Sequence, residues 1–190
     1  MHAFPVETAR LLMRPIEAAD AALYEHLYTD AETMRFIGAP LSPERAARSF
    51  RSALAGMQRQ PIERVFLVVC EKTTNTAVGL CSLQDFDAEA RSVQAGFMFV
   101  APARSRGYAK EAITELIQQV FARLPVDELW VEFAVDHVAV QRVMHSVGFA
   151  HRGNLARQES EHGQRNAWSV RRRFWSPPSA LTASTVRNER

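Results

Sequence analysis

Apolar positions along the chain change period several times, and each change marks an element. Thr8 to Pro15 reads as a first strand. From Ala18 to Tyr28 the apolar Leu23, Leu27 and Tyr28 fall on one helical face, with Asp20 in the first turn. Asp30 to Gly38 reads as a short second helix stopped by Gly38. Ser42-Pro43-Glu44 supplies a serine N-cap, a proline at the first helical position and an acid; Ala47, Phe50, Leu54 and Met57 continue one face. Arg64 to Glu71 is β-branched and apolar throughout, which predicts a strand buried on both faces. Ala77 to Gln84 returns from it across Thr73-Thr74-Asn75-Thr76, Asp85 to Ala90 is a polar turn, and Arg91 to Val100 is the next strand, closed by Pro102. Ala109, Ile113, Leu116, Ile117, Val120 and Leu124 then define a helix face. Glu128 to Val135 alternates as a strand, and His137 to Val147 is a helix closed by Gly148. Phe149 opens another strand and Arg165 to Trp175 forms the last. The order β-α-α-α-β-β-β-α-β-α-β-β predicts an α/β (α+β) domain: a mixed sheet with helices on both faces.

At 190 residues the chain suits one domain over residues 1–175. Ser176 to Arg190, rich in Ser, Thr and Pro, is expected to be a disordered or loosely attached tail. A net charge of +2 is too small to argue for nucleic acid, and Arg171-Arg172-Arg173 alternate between strand faces, so they make no single patch. No apolar run is long enough for a membrane span, and Met1 to Pro5 lacks the pattern of a signal peptide, which leads to a cytoplasmic expectation with no membrane partner. Cys70 and Cys81 flank the predicted hairpin, where a tight turn would let them face each other; reduced, buried thiols are the expectation.

The chemistry concentrates between Phe97 and Ala112. An apolar strand runs through Arg104-Ser105-Arg106-Gly107 into a helix start, with two cations, a glycine and no acid in the turn. A helix N-terminus offers unpaired N–H groups and partial positive charge, so this is a phosphate-binding geometry; an ordinary basic strand-to-helix turn is the other reading. The stretch is neither a Walker loop nor a dinucleotide fingerprint, lacking the Gly-Lys-Ser/Thr of the one and the three spaced glycines of the other. Arg104, Gly107 and Ala109 instead fit Gln/Arg-x-x-Gly-x-Gly/Ala.

That pattern resembles the acetyl-coenzyme A pyrophosphate loop of the GNAT N-acetyltransferase family. Other residues resemble its ribosomal-protein-alanine N-acetyltransferase-like branch: Thr8-x-Arg10-Leu11-Leu12-x-Arg14-Pro15 with Asp20, the segment Asp30 to Phe36, Gly96-Phe97, Arg142-Val143-Met144 before Gly148-Phe149, and Gly163 with Trp168-Ser169-Val170. The resemblance covers Thr8 to Phe174 and implies the GNAT fold, with a mostly antiparallel sheet splayed between the fourth and fifth strands. It implies acetyl-CoA as cosubstrate, no metal, and direct transfer to a primary amine on a peptide N-terminus or a small molecule. The pyrophosphate is expected on Arg104, Ser105, Arg106, Gly107, Tyr108 and Ala109, with Lys110 nearby. Pantetheine is expected along Phe99 and Val100, with a backbone N–H near Phe99 for the oxyanion. The sequence departs from the branch at Gln94, where a Glu is usual, and at His137 and Val140, where Asn and Ser are usual. Gln94 takes no proton and Val140 gives none, which leaves His137 as the titratable candidate, either catalytic or merely capping a helix or touching the cofactor. A catalytically impaired acyl-CoA-binding module is the alternative. Glu32, Arg35, Asp85 and Asp87 are acceptor-side candidates, and monomer and homodimer both stand.

Overall fold

The computed structural model describes residues 5–59, 63–154 and 165–178. Its sheet has eight strands in the order β1-β2-β3-β4-β5-β6-β8-β7 among these residues. They are β1 (Val6–Glu7), β2 (Leu11–Pro15), β3 (Val65–Glu71), β4 (Thr76–Asp87), β5 (Ser92–Phe99), β6 (Glu128–Ala134), β7 (Ala150–Asn154) and β8 (Arg165–Arg171). Every neighbouring pair is antiparallel except β5 and β6. The helices are α1 (Ala21–Thr29), α2 (Ala31–Met34), α3 (Pro43–Met57), α4 (Tyr108–Arg123) and α5 (Val138–Ser146).

Strand β3 shows why the sheet is covered on both sides. Val65, Leu67 and Val69 join the core under α4 and α5, whereas Phe66, Val68 and Cys70 join a second core with Tyr24 and Leu27 of α1 and Phe50 and Ala53 of α3. An uninterrupted apolar strand is what two covered faces demand. Helix α4 carries Ala112, Ile113, Leu116, Ile117 and Val120 into the first core, as its helical spacing requires. The Ser42 cap of α3 accepts the Arg45 N–H at 3.3 Å, and Gly148 follows α5 at φ +93.

The structure departs from the pattern at several points, each for a local reason. The first strand is broken: Thr8 turns the chain, its hydroxyl accepting the Leu11 N–H at 2.8 Å, so that β1 folds back on β2. Strand β4 runs on to Asp87, because Asp85 takes a left-handed φ of +52 within an irregular register and the ladder then resumes. The last strand stops at Arg171; Arg172 turns its guanidinium to the carbonyls of Leu124 and Val126, at 2.7 and 3.0 Å. The thiols do not face each other: Cys81 lies opposite Leu67 and Cys70 opposite Ala77, and the two join opposite cores. Both are free, and burial pushes the Cys81 thiol up to about 12. Trp175 still belongs to the domain, its indole N–H donating to the Val147 carbonyl at 3.2 Å. The expected tail lies outside the described residues beyond 178, as does Gly163. No helix among the described residues is long and apolar enough to cross a membrane.

Candidate active site at the splayed strands

Strands β5 and β6 pair only through Ser92–Glu128, Val93–Leu129 and Gln94–Trp130. Beyond Gln94, β5 stays on β4 as far as Phe99 and β6 stays on β8, so a wedge opens inside the sheet. The Val100 N–H donates to the Val78 carbonyl at 3.0 Å. By strand alternation, the peptide groups of Met98 and Val100 therefore face β4, and those of Phe97 and Phe99 face the wedge. The Val100 peptide groups, expected on the cofactor side, are thus turned to β4, and Phe97 joins Phe99 on the wedge side. Residues from Gly96 to Val100 are only half-buried in mid-sheet, because the neighbouring strand has left them.

At the open end a 3-10 turn, Ala101–Ala103, leads into the loop and α4. Ser105 at φ +60 and Gly107 at φ +79 are left-handed and flank Arg106. The Arg104 N–H is claimed by the Ala101 carbonyl at 3.1 Å, and the first helical bond is from Glu111 to the Gly107 carbonyl at 3.2 Å. Between them, among the described residues, the N–H groups of Ser105, Arg106, Gly107, Tyr108, Ala109 and Lys110 have no protein acceptor, and α4 has no side-chain cap. Consecutive unclaimed donors at left-handed turns and a helix start form an anion nest. Lys110 is exposed on the same first turn.

A network beneath the loop fixes its shape. Glu111 is only 6% exposed and accepts from the Thr8 hydroxyl at 2.5 Å, the Arg10 N–H at 2.8 Å and Arg10 Nε at 2.7 Å. Burial alone would push this carboxyl up; the Thr8 and Arg10 donors overrule it and hold it below the usual range. Arg10 Nη1 donates to the Arg106 carbonyl at 3.1 Å. Tyr108 is buried, its hydroxyl donating to Glu71, and the guanidinium groups of Arg10 and Arg106 lie 4.8 and 4.7 Å from its ring centroid.

The two loop arginines expected to coat the anion are turned to protein partners. Arg106 Nη2 meets Glu71 Oε1 at 2.9 Å. Arg104 Nε donates to the Phe99 carbonyl at 3.2 Å, and Nη2 to the Thr33 hydroxyl at 2.7 Å. The donors that the loop leaves unclaimed are therefore backbone N–H groups, with the exposed Lys110 beside them.

His137 stands at the N-terminus of α5 with no capping bond from its side chain. Its ring stacks on Phe36, centroids 4.1 Å apart and planes at 27°. Burial, helped by the Arg104 charge and opposed by Asp136, holds it below its ordinary 6.5. Gln94, the last residue of β5 paired with β6, accepts from Gln84 Nε2 at 2.7 Å, and Val140 packs against the core. Among the acceptor-side candidates, Arg35 lies 5.0 Å from the Phe36 ring and Glu32 is exposed on α2. Asp85 sits in the irregular part of β4, and Asp87 accepts the Glu89 and Ala90 N–H groups at 2.9 and 2.8 Å. Three groups around the wedge carry no local sequence signal: Thr33, Phe36 and the Glu132–Arg165 ion pair, whose closest approach is 2.6 Å.

Residues 10–150 match the family model described as the acetyltransferase (GNAT) domain. The uncharacterized N-acetyltransferase p20 of Bacillus licheniformis is 22% identical over 158 residues, 83% of this chain and 88% of that protein. The RimL ribosomal L7/L12 alpha-N-protein acetyltransferase in complex with coenzyme A superposes with a TM-score of 0.76 at 13% identity, covering 88% of this chain and 98% of that one. The spermidine N-acetyltransferase of Vibrio cholerae in complex with CoA and spermine gives 0.75 at 16% identity, covering 86% and 96%. Likeness at these identities concerns the fold.

Proposed function

The chain belongs to the acetyltransferase (GNAT) family, and from that membership we propose that it transfers the acetyl group of acetyl-CoA directly to a primary amine. The observation that carries the reading is the run of unclaimed N–H groups from Ser105 to Lys110, set at the open end of a wedge lined by the peptide edges of Phe97 and Phe99. Pyrophosphate fits the donors and Lys110, and the pantetheine arm fits the strand edge, where its amides find partners as a further strand would. The thioester then lies by the Phe99 N–H.

The amine nitrogen attacks the thioester carbonyl carbon. A C–N bond forms, the oxygen charge falls on the Phe99 N–H, and the C–S bond breaks with the electrons leaving on sulfur. One such donor is worth roughly 2.7–4 kcal/mol in comparable sites. His137, kept neutral by burial, accepts the proton of the attacking amine, and the thiolate takes a proton from solvent as coenzyme A leaves. Alignment of the two reactants supplies much of the remaining rate, so the loss of a carboxylate at Gln94 and a hydroxyl at Val140 is tolerated.

The acceptor side is formed by Phe36 and the Glu132–Arg165 pair, and it admits an amine on a peptide N-terminus or a small molecule. RimL, named for a protein acceptor, and the spermidine enzyme, named for a polyamine, share this fold. Calorimetry with acetyl-CoA, followed by thiol release against a panel of amines and short peptides, tests the reading. Binding with release supports it. Binding without release across the panel favours the acyl-CoA-binding module, and no binding refutes both.

A further inference from the structure

Arg104 holds the first position of the loop pattern, yet its backbone N–H, Nε and Nη2 are all committed within the protein. Its Nε reaches the carbonyl of Phe99, the residue whose peptide edge faces the wedge. Its Nη2 holds the Thr33 hydroxyl, which in turn donates to Asp30 Oδ2 at 2.5 Å; Asp30 also accepts the Thr33 N–H at 2.7 Å as the cap of α2. Three residues past Thr33, Phe36 stacks on His137 across the wedge. The next residue, Ile37, accepts from Arg165 Nη1 of β8 at 3.3 Å. The segment Thr33 to Ile37 therefore touches both lips of the opening: β5 through Arg104, and the α5 and β8 side through His137 and Arg165.

We propose that Arg104 is a positioning residue rather than a phosphate ligand: it ties the Phe99 carbonyl to the segment 33–37, setting the acceptor side at a fixed distance from the thioester. The proposal rests on the acetyl-transfer reading above. A guanidinium is suited to the task because its donors lie in one rigid plane, so two bonds fix an angle as well as a length. The distance matters because a misplacement of about 1 Å between reacting groups costs on the order of a hundredfold in rate. Thr33, with one hydroxyl shared between Asp30 and Arg104, is the other half of the tie.

The test compares Arg104→Ala, Arg104→Lys, Thr33→Val and the Arg104→Ala/Thr33→Val double variant with the wild type. Three quantities are read: the acetyl-CoA Kd by calorimetry, amide hydrogen exchange in residues 30–37, and thiol release with the panel amine that reacts fastest. The expected result for Arg104→Ala is a Kd within threefold of wild type, exchange in 30–37 faster by at least tenfold, and kcat lower by at least tenfold with the acetyl-CoA KM unchanged. Thr33→Val should reproduce the exchange change, the double variant should add little to it, and Arg104→Lys should recover part of kcat. A Kd weakened tenfold or more in Arg104→Ala, with Thr33→Val unchanged, makes Arg104 a phosphate ligand and overturns the proposal. Unchanged exchange in 30–37 overturns it too. A wild type that binds no acetyl-CoA defeats the transfer reading instead, while the exchange measurement on free protein still decides whether the tie exists.

Discussion

Gly107 is the residue at which the loop assignment is most exposed to refutation. Its φ is +79, and a Cβ built there would lie 3.4 Å from Arg10 Nη2, an ordinary contact. Gly107→Ala therefore introduces little collision, and its cost is conformational: about 1–2 kcal/mol for holding an L-residue in the left-handed region. That strain has two outlets. If the loop keeps its shape, the fold loses the whole amount and acetyl-CoA affinity is unchanged. If the loop relaxes, stability is preserved and the N–H donors no longer converge, so affinity falls by about 5- to 30-fold for the same 1–2 kcal/mol. The two losses, measured by chemical denaturation and by calorimetry with acetyl-CoA, should sum to about 1–2 kcal/mol. Gly107→Asn should lose less than Gly107→Ala, since asparagine tolerates this region, and Gly107→Val should lose more. Equal behaviour of all three variants, or a sum near zero for alanine, would refute the claim that a left-handed residue shapes the anion nest.

Glu111→Ala removes a buried carboxylate that gathers Thr8 and Arg10; it should cost about 3 kcal/mol, at the low end for a broken buried pair because Arg10 is half-exposed, and an unmoved denaturation midpoint would contradict this. At acid pH the sign follows from two depressed carboxyls. Burial pushes Asp20 up, but the bonds from Arg14 and the Glu17 N–H prevail, and Glu111 behaves alike. Their stabilisation is complete above the ordinary carboxylate range and is lost as pH falls through the lower folded-state values, so Asp20→Asn and Glu111→Gln should each flatten the acid slope of stability. Because His137 is held below its ordinary 6.5, kcat/KM should show an enzyme ionisation below 6.5, on the acid side of the amine's own, that vanishes in His137→Gln; its persistence in that variant removes His137 from proton transfer.

Most of the fold is legible in the sequence because both cores impose their period on the chain. The apolar run of β3 and the six-residue face of α4 mark two covered faces and one amphipathic helix without any tertiary knowledge. What escaped was decided by single side chains acting locally, such as the Thr8 hydroxyl that breaks the first strand and the left-handed Asp85 that lets β4 continue. In the site, the loop was legible because a glycine, a basic turn and a helix start are neighbours in the chain. The destinations of its arginines were not: Arg104 finds Thr33 across 71 residues and Arg106 finds Glu71 across 35. A cation in a turn has no local feature that says whether an anion or a distant carboxylate will claim it. The stack of Phe36 on His137 is equally silent, since neither residue breaks the pattern of its own element.

The wedge between β5 and β6 has a thermodynamic side. A sheet interrupted beyond Gln94 leaves the Phe97 peptide groups and the Phe99 N–H without a strand partner, and a guest molecule lying along β5 would complete the sheet from outside. A ligand held there stabilises the native state by mass action, by about 2.7 kcal/mol at a hundred times its Kd. With acetyl-CoA as that guest, the survival of the protein against unfolding and proteolysis tracks the supply of its own substrate. The enzyme would persist when acetyl groups are plentiful and decay when they are scarce.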